Sequence, residues 1–183
     1  MKRELRTKAP RRKPLEHERK KAPARERVAP LEPLSEQERK DLIAFERGAA
    51  ERHLREAIAI QAWGGAPNAC VHAAYYGMYH AATAVLHIAG GVGPAKHVPK
   101  SHEHVLEHFT KLTVTVGHGG AEAAKLLNRA RSTRMTADYG GPEPPDDDEV
   151  EQSVADARRF VELCVEFLGL PTIELHASPD RGE

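Results

Sequence analysis

The amino-acid sequence predicts an all-α protein, an antiparallel four- to five-helix bundle that follows a disordered basic N-terminal tail. Three observations lead to this fold class. Apolar residues recur every three or four positions over five long segments, glycine and proline clusters separate those segments, and no segment shows the alternation typical of a β-strand. The 183 residues, 40% of them hydrophobic, are enough to bury one core.

The first 34 residues are predicted to form the tail, residues 35–170 the bundle and residues 171–183 a C-terminal tail. Residues 1–30 contain 12 Lys and Arg against four Glu, and almost no large apolar side chain. Such a segment cannot bury enough surface to offset the entropy that ordering costs. A basic tail can hold a polyanion or a partner near the acidic remainder of the chain, and a solvated leader without a specific role is an equal alternative.

The first two predicted helices have clear start and stop signals. Ser35 and Glu38 form a capping-box pattern, so a helix is expected from there to about Trp63, where glycines end it. The side of this helix that faces the bundle is predicted to contain Leu42, Phe45, Leu54, Ile58 and Gln61. Pro67 suits a first helical turn and predicts a second helix to about Ala89. Because that helix is apolar around most of its circumference, it belongs at the centre of the bundle.

Three further helices complete the predicted bundle. The third is expected to begin near Ser101, with an apolar side made of Val105, Phe109 and Leu112. Glycines within 117–120 predict a turn, and a fourth helix follows over about 121–137. Acidic residues at 146–149 suit the positive end of a fifth helix, which is expected to end near residue 168.

Composition and apolar patterning argue against a disulfide-stabilised, a membrane-spanning or a secreted protein. Cys70 and Cys164 lie in apolar helical segments and are expected to be buried, reduced thiols. No apolar run approaches the ~20 residues that a membrane span needs. The charged N-terminus lacks the apolar segment of a secretory signal. We therefore expect a cytoplasmic protein with no membrane partner.

A histidine motif on the third predicted helix is weak evidence for a metal site. His104 and His108 frame an H-x-x-E-H string, and their spacing places both on one helix face. A five-residue string has little specificity in a chain with 11 histidines, and zinc peptidases with this string need a third ligand and a larger domain. We expect a solvated helix face, with no metal and no cofactor.

Arg134 is the first candidate functional residue. Helical spacing places it on the same side as Leu127 and Ala130, so it is expected to face the core or an interface. A buried arginine needs a partner, and Asp138 lies one turn later. Two interpretations stay open, a structural ion pair that fixes helix packing and an arginine that contacts a phosphate.

The second candidate is a run of aromatic residues on the second predicted helix. Tyr75, Tyr76, Tyr79 and His80 lie within six positions and offer rings for stacking and groups for hydrogen bonding to a base. The alternative is that they are core aromatics whose hydroxyls bond at the edge of the bundle. We favour the core interpretation for Tyr75, and both interpretations stay open for the other three.

Three separate stretches resemble the HEPN-domain family (higher eukaryotes and prokaryotes nucleotide-binding). Within residues 68–82, the string A-Y-Y-G-M-Y-H-A-A resembles the A-Y-Y-x-M-F-H-A-A string of the second helix in a bacterial and archaeal branch of that family. Residues 100–109 resemble its third helix, and residues 134–140 resemble its R-x-x-A-D-Y-G string. Three motifs in the right order and spacing, over roughly residues 49–168, are far more specific than any one of them.

The resemblance implies a bundle that is usually a homodimer, often paired with a minimal nucleotidyltransferase as the toxin half of a toxin–antitoxin pair, or serving a larger defence system. Active members are metal-independent ribonucleases with an R-x(4–6)-H motif in a cleft between two protomers. By this resemblance, Arg134 contacts a phosphate of RNA or a nucleotide, Asp138 orients Arg134, and Tyr139 donates a hydrogen bond or accepts a modification. Weaker candidates for the cleft wall are Tyr76, Tyr79, His80 and His102.

One position departs from the pattern of the active members. The residue five positions after Arg134 is Tyr139, and the first histidine after Arg134 is His176, in the C-terminal tail. Tyrosine, with a pKa near 10, is a poor general base at neutral pH, so His80 or His102 is the candidate replacement. Three functions stay open. The leading one is binding of RNA or a nucleotide within a toxin–antitoxin or defence module; the others are a ribonuclease with a displaced histidine and a non-catalytic assembly protein.

Overall fold

The computed structural model describes residues 32–93, 96–140 and 143–173, and it confirms the all-α fold class. Five helices follow one another, α1 (Glu36–Trp63), α2 (Pro67–Ile88), α3 (His102–Thr113), α4 (His118–Tyr139) and α5 (Asp147–Phe167). Within the described residues the only β-type pairing is an isolated bridge between Val92 and His97. Most of the predicted basic tail, residues 1–31, lies outside the described part of the chain.

The second helix lies at the centre of the bundle, as its sequence predicts, because α2 contacts all four other helices. Its contact with α1 is close. A Cβ atom at Gly77 would lie 3.4 Å from backbone atoms of Ala50 and Leu54, which is van der Waals contact, so the two helix backbones are close enough here to leave room for no larger side chain without a shift. This close approach places the side chains of α1 directly beside the aromatic residues of α2.

Side-chain caps start three of the helices. Ser35 and Glu38 form the predicted capping box at α1, and Asp146 and Glu149 form a second one at α5. At α3 the hydroxyl of Ser101 accepts a hydrogen bond from the backbone N–H of His104. Each cap supplies a partner to backbone amides that the helix itself leaves unpaired, which fixes where these helices begin.

The fourth helix begins earlier than the sequence predicts. It starts at His118, so two of the glycines assigned to a turn lie in its first turn. A Cβ at Gly119 would overlap the ring of Phe167, and one at Gly120 would overlap the carbonyl of Thr113. These two glycines therefore allow close packing against α5 and α3, and only Gly117, with φ of +80°, has the backbone conformation of a turn.

The predicted buried side of α1 was wrong at Phe45, which is 64% exposed. The residues of α1 that enter the core are Ala49, Ala50, Leu54 and Ala57. Phe45 precedes Ala50 by five positions, a rotation of about 140° around the helix, so it points away from α2. The prediction was correct at Leu54, but the other three core residues are alanines, which a search for large apolar residues overlooks.

The core continues past the end of α5. Leu170 and Ile173 are both buried, and they belong to the same hydrophobic cluster as the helices. Residues 174–183, the rest of the predicted C-terminal tail, lie outside the described part.

Cys70 and Cys164 are free and fully buried, as predicted. None of the helices in the described residues is both long and apolar enough to cross a membrane.

Candidate functional site

Four residues of α2 form one continuous surface, which we call the aromatic face. They are Tyr75, Tyr76, Tyr79 and His80, and helical spacing places them on the same side of the helix. Neighbouring ring centroids lie 5.6 Å apart for Tyr75 and Tyr76, 6.2 Å for Tyr76 and Tyr79, and 5.4 Å for Tyr79 and His80. Burial raises the pKa of Tyr75 to about 12 and also raises the pKa of Tyr79. Both hydroxyls therefore remain protonated at neutral pH.

Arg134 of α4 lies at one edge of the aromatic face. Its side chain is 16% exposed, and its Nε lies 2.6 Å from Oδ2 of Asp138, the partner that the sequence predicts. This contact is an ion pair without the alignment of a hydrogen bond, so the buried Nε has no hydrogen-bond partner among the described residues. The guanidinium carbon lies 6.0 Å from the Tyr75 ring centroid and 5.8 Å from that of Tyr139. Two aromatic rings thus hold the cation in place.

The outer nitrogens of Arg134 donate no hydrogen bond to a carboxylate in the described part of the chain. The one hydrogen bond found for them there is weak, 3.7 Å from Nη1 to the sulfur of Met135. Because Asp138 approaches through Nε, the two Nη groups keep donors for a further anion. A phosphate oxygen is a suitable acceptor for such a fork of N–H groups.

His102, the first residue of α3, lies against the aromatic face. Its ring centroid is 4.3 Å from that of Tyr79, and its Nδ1 lies 2.8 Å from the hydroxyl of Tyr75. The Tyr79 hydroxyl donates to the backbone carbonyl of Lys100 at 3.1 Å, which fixes the start of α3 on α2. Burial lowers the pKa of His102, and the positive charges of Arg134 and Arg131 lower it further. His102 is therefore neutral at neutral pH.

His80 is anchored at the opposite edge of the aromatic face by α1. Its Nδ1 lies 2.6 Å from Oε2 of Glu46, and both side chains are mostly buried, at 20% and 15% exposure. The ring of His53 stacks on that of His80, with centroids 5.4 Å apart and planes 7° from parallel. Burial lowers the pKa of His53, and its neighbour His80 adds to that effect. A carboxylate and a second imidazole thus fix the orientation of His80.

Four further residues complete the site, and the sequence reasoning missed them. His72 stacks on Tyr76 at 4.6 Å and approaches Oδ2 of Asp138 at 3.6 Å. The other three are Glu46, His53 and Arg131. His72 and Arg131 had a sequence signal, because His72 lies one turn before Tyr76 and Arg131 one turn before Arg134. Glu46 and His53 had none, since their positions beside His80 depend on how α1 packs along α2.

All seven residues that the sequence singled out lie in one connected set. Ring contacts, ion pairs and hydrogen bonds join Arg134, Asp138, Tyr139, Tyr76, Tyr79, His80 and His102. Tyr75, expected in the core, is indeed buried, and it links Arg134 to His102. Throughout the described ranges, no group of three or more His, Cys, Asp or Glu residues is placed to hold a metal ion.

A cavity of about 600 Å³ lies between the end of α4 and the start of α5. Its lining residues include Thr133, Thr136 and Asp146, and none of the residues of the aromatic face. The partly exposed rings of Tyr76 and Tyr79, with Arg134 at the edge of the same face, are groups that can contact the bases and phosphates of a polynucleotide strand.

Comparison with protein families agrees with this architecture. No curated protein matches the chain. The family model described as the HEPN domain matches residues 31–168, which includes all five helices and every residue of the candidate site. The chain therefore belongs to the HEPN-domain family.

Proposed function

We propose that this protein binds RNA or a nucleotide on the aromatic face and acts in the cytoplasm as the toxin-type component of a toxin–antitoxin or defence module. One observation supports the binding proposal most directly. The Arg134 guanidinium, which donates no hydrogen bond to a described carboxylate, lies beside the buried ring of Tyr75. Tyr75 in turn contacts the partly exposed rings of Tyr76 and Tyr79. Aromatic rings stack on bases and a guanidinium binds phosphate, so these side chains can contact both the base and the phosphate of a nucleotide.

Binding of a fluorescein-labelled single-stranded RNA, measured by anisotropy near 0.2 M salt, tests this proposal. The salt weakens the non-specific attraction that the basic tail exerts on any polyanion. We expect Arg134→Met to weaken binding at least tenfold, and Tyr76→Ala to weaken it by a similar factor, because one base stack contributes about 1–3 kcal/mol. Arg158→Met, which removes an exposed arginine on α5, is the matched control.

Equal affinity of the wild type, Arg134→Met and Arg158→Met would contradict the proposed site. Circular dichroism must show that each variant is folded before the comparison is made. Loss of binding in Arg134→Met alone supports a phosphate contact at Arg134. Loss in both arginine variants indicates that total charge, and not the aromatic face, determines the affinity.

A second candidate function is a metal-independent ribonuclease that uses Arg134 with a displaced histidine. The observation in its favour is His102, which is neutral, half-buried and linked to Arg134 through Tyr75. Cleavage of RNA in the presence of EDTA by the wild type, and its absence in Arg134→Met, is the expected result. Intact RNA after prolonged incubation with the wild type, across several sequences, contradicts this candidate.

The third candidate, a non-catalytic assembly protein, takes its support from the surface beside Arg134. Met135 is 41% exposed and Tyr139 is 74% exposed at the end of α4, so apolar area borders the site. We infer that a second copy of the chain or a minimal nucleotidyltransferase covers it. Sedimentation velocity over a hundredfold concentration range tests the homodimer, and a monomer throughout contradicts it.

A toxin-type role has a test of its own in cells. Expression of the wild type is expected to arrest growth, and co-expression of a minimal nucleotidyltransferase from the same locus is expected to relieve the arrest. Arg134→Met, expressed to the same level, should not arrest growth. If Arg134→Met is as toxic as the wild type, toxicity does not depend on the aromatic face and the proposed link between them is wrong.

A further inference from the structure

We propose that His102 and the Glu46-anchored His80 are the two proton-transfer groups of an RNA cleavage that uses the 2′-hydroxyl of the RNA itself. The inference rests on the ribonuclease candidate above. In it, two histidines from α2 and α3 take the role that a single histidine after Arg134 has in the R-x(4–6)-H motif. Its basis is a juxtaposition on the aromatic face. The rings of His102 and His80 both contact the ring of Tyr79, with centroids at 4.3 and 5.4 Å. One tyrosine therefore bridges the two imidazoles.

The reaction needs one group that takes a proton and one that gives a proton. The 2′-hydroxyl oxygen attacks phosphorus only as it loses its proton, and the 5′-oxygen leaves only as it gains one. Histidine is the side chain that does either near neutral pH. The sequence pattern of active relatives supplies one histidine, whereas the surface here holds two within contact of one ring, with an arginine at its edge.

His102 is suited to be the base. Its Nδ1 is engaged with the hydroxyl of Tyr75 at 2.8 Å, and its Nε2 has no hydrogen-bond partner in the part of the chain that the structure describes. When Nδ1–H donates to the Tyr75 oxygen, Nε2 carries the lone pair that accepts a proton. The positive charges of Arg134 and Arg131 favour its neutral form, and their guanidinium groups can bind the phosphate.

His80 is suited to be the acid. Its Nδ1 donates to the Glu46 carboxylate, which leaves Nε2 as the atom that exchanges protons with a ligand. The carboxylate compensates the positive charge that the ring carries while it holds the second proton. The stacked ring of His53 prevents His80 from rotating away from this position. Glu46 and His53 are therefore positioning residues, because neither of them touches the reacting atoms.

The proposed step balances without any other reactant. The 2′-hydroxyl proton passes to Nε2 of His102, the bond between the 2′-oxygen and phosphorus forms, and the bond between phosphorus and the 5′-oxygen breaks. The leaving 5′-oxygen takes the proton of His80 Nε2. Arg134 neutralises the charge that develops on the non-bridging oxygens. The products are a 2′,3′-cyclic phosphate and a free 5′-hydroxyl, with no change in oxidation state.

The experiment compares full-length wild type with His102→Asn and His80→Asn on a fluorescent RNA oligonucleotide in EDTA. Asparagine keeps the hydrogen bond of Nδ1 to Tyr75 or Glu46, so both variants are designed to fold, and circular dichroism checks that they do. His104→Asn is the matched control, because His104 is an exposed histidine on the same helix as His102. Each site variant should lose 100-fold or more in rate, the effect of removing a positioned acid or base, while RNA affinity stays within threefold.

Two further readouts separate proton transfer from a structural role. Mass spectrometry of the wild-type products should find a 2′,3′-cyclic phosphate, and an RNA with a 2′-deoxy residue at the cut position should stay intact. Free imidazole should restore part of the rate of a His102→Gly variant, because it can occupy the vacated space and accept the proton. A structural role for His102 predicts no such rescue.

The outcomes distinguish this inference from the function on which it rests. Cleavage that persists within tenfold in either asparagine variant overturns the two-histidine assignment and leaves the ribonuclease candidate in place. Cleavage of the 2′-deoxy substrate overturns it as well. A wild type that binds RNA without cutting it overturns both the assignment and the ribonuclease candidate, and leaves the binding proposal standing.

Discussion

Two arginines of α4 are predicted to have different roles, Arg129 in stability and Arg134 in RNA binding. Substitution of each by methionine should therefore affect different properties. Arg129 pairs with Asp156 of α5, donating from Nε to Oδ2 at 2.5 Å and from Nη2 to Oδ1. Gln152 adds one hydrogen bond to Oδ1 at 2.6 Å. Asp156 is almost fully buried, with its side chain 7% exposed. Arg129→Met therefore leaves a buried carboxylate with a single neutral donor.

The expected loss of stability follows from these contacts. Breaking one side of a fully buried ion pair costs about 3–5 kcal/mol. Because the Arg129 side chain is 54% exposed, solvent already screens part of the pair, and we expect about 2 kcal/mol. For a chain of this size, that lowers the melting temperature by roughly 4–8 °C. RNA affinity should stay unchanged, since Arg129 lies outside the aromatic face.

Arg134→Met is expected to give the opposite pattern. Its partner Asp138 keeps 21% of its side chain exposed and has a second partner in His72 at 3.6 Å. Methionine also retains an apolar stem of similar length. The pair is largely buried, so its loss should cost more than that of a surface pair, but Asp138 keeps some contact with water and a second partner. We therefore expect a loss of about 1 kcal/mol in the free energy of unfolding, about half of that expected for Arg129→Met. Binding or cleavage of RNA should be lost while the fold survives.

Urea denaturation followed by far-ultraviolet circular dichroism measures both free energies, with RNA anisotropy on the same samples. A double variant, Arg129→Met with Asp156→Leu, is the internal control. It removes both charges together, so it should recover most of the stability lost by Arg129→Met. If Arg134→Met proves the more destabilising of the two substitutions, Arg134 mainly stabilises the packing of the bundle. The assignment of stability to Arg129 and of RNA binding to Arg134 is then wrong.

Three further predictions concern the bundle itself. Phe109→Ala should lower the free energy of unfolding by about 3–5 kcal/mol in urea denaturation, because this ring is fully buried against Phe160; a loss under 1 kcal/mol contradicts the described core. Ser35→Ala should cost about 1 kcal/mol through loss of the capping box, and unchanged amide exchange in the first turn of α1 contradicts it. Burial lowers the pKa of His87, as it does for His53 and His102, so the unfolded chain binds more protons. Stability should therefore be complete above the ordinary histidine pKa of 6.5 and fall as the pH drops below it, and the same urea midpoint at pH 5.5 and 7.5 contradicts this.

The helices could be predicted from the sequence because their signals are local. Ser35 with Glu38, Pro67 and the acidic run that starts α5 each act on the adjacent turn, so the residues that start a helix are neighbours in the chain. The early start of α4 could not be found in this way. Gly119 and Gly120 are glycines because Phe167 and Thr113 approach them, and those contacts join residues distant in sequence.

Most of the site could be predicted for a similar reason. Arg134 and Asp138 belong to one helix, and so do the tyrosines of α2, so their grouping follows from helical spacing alone. Glu46 and His53 could not be found, because their role depends on how α1 packs along α2. That packing uses Ala50 and Leu54 against Gly77, and small residues leave almost no periodic signal. The resemblance of three motifs, and not periodicity, identified the family.

The positions of His80 and His102 show that the absence of a histidine five residues after Arg134 does not leave the site without an imidazole. A linear motif of arginine followed by histidine describes one helix, whereas the aromatic face and its two edges receive side chains from α1, α2, α3 and α4. His102 reaches the surface because Ser101 starts α3 there and the Tyr79 hydroxyl bonds the carbonyl of Lys100. His80 is held there by Glu46. An imidazole can therefore enter such a site from any packed helix, so Tyr139 in place of histidine does not by itself make the site inert.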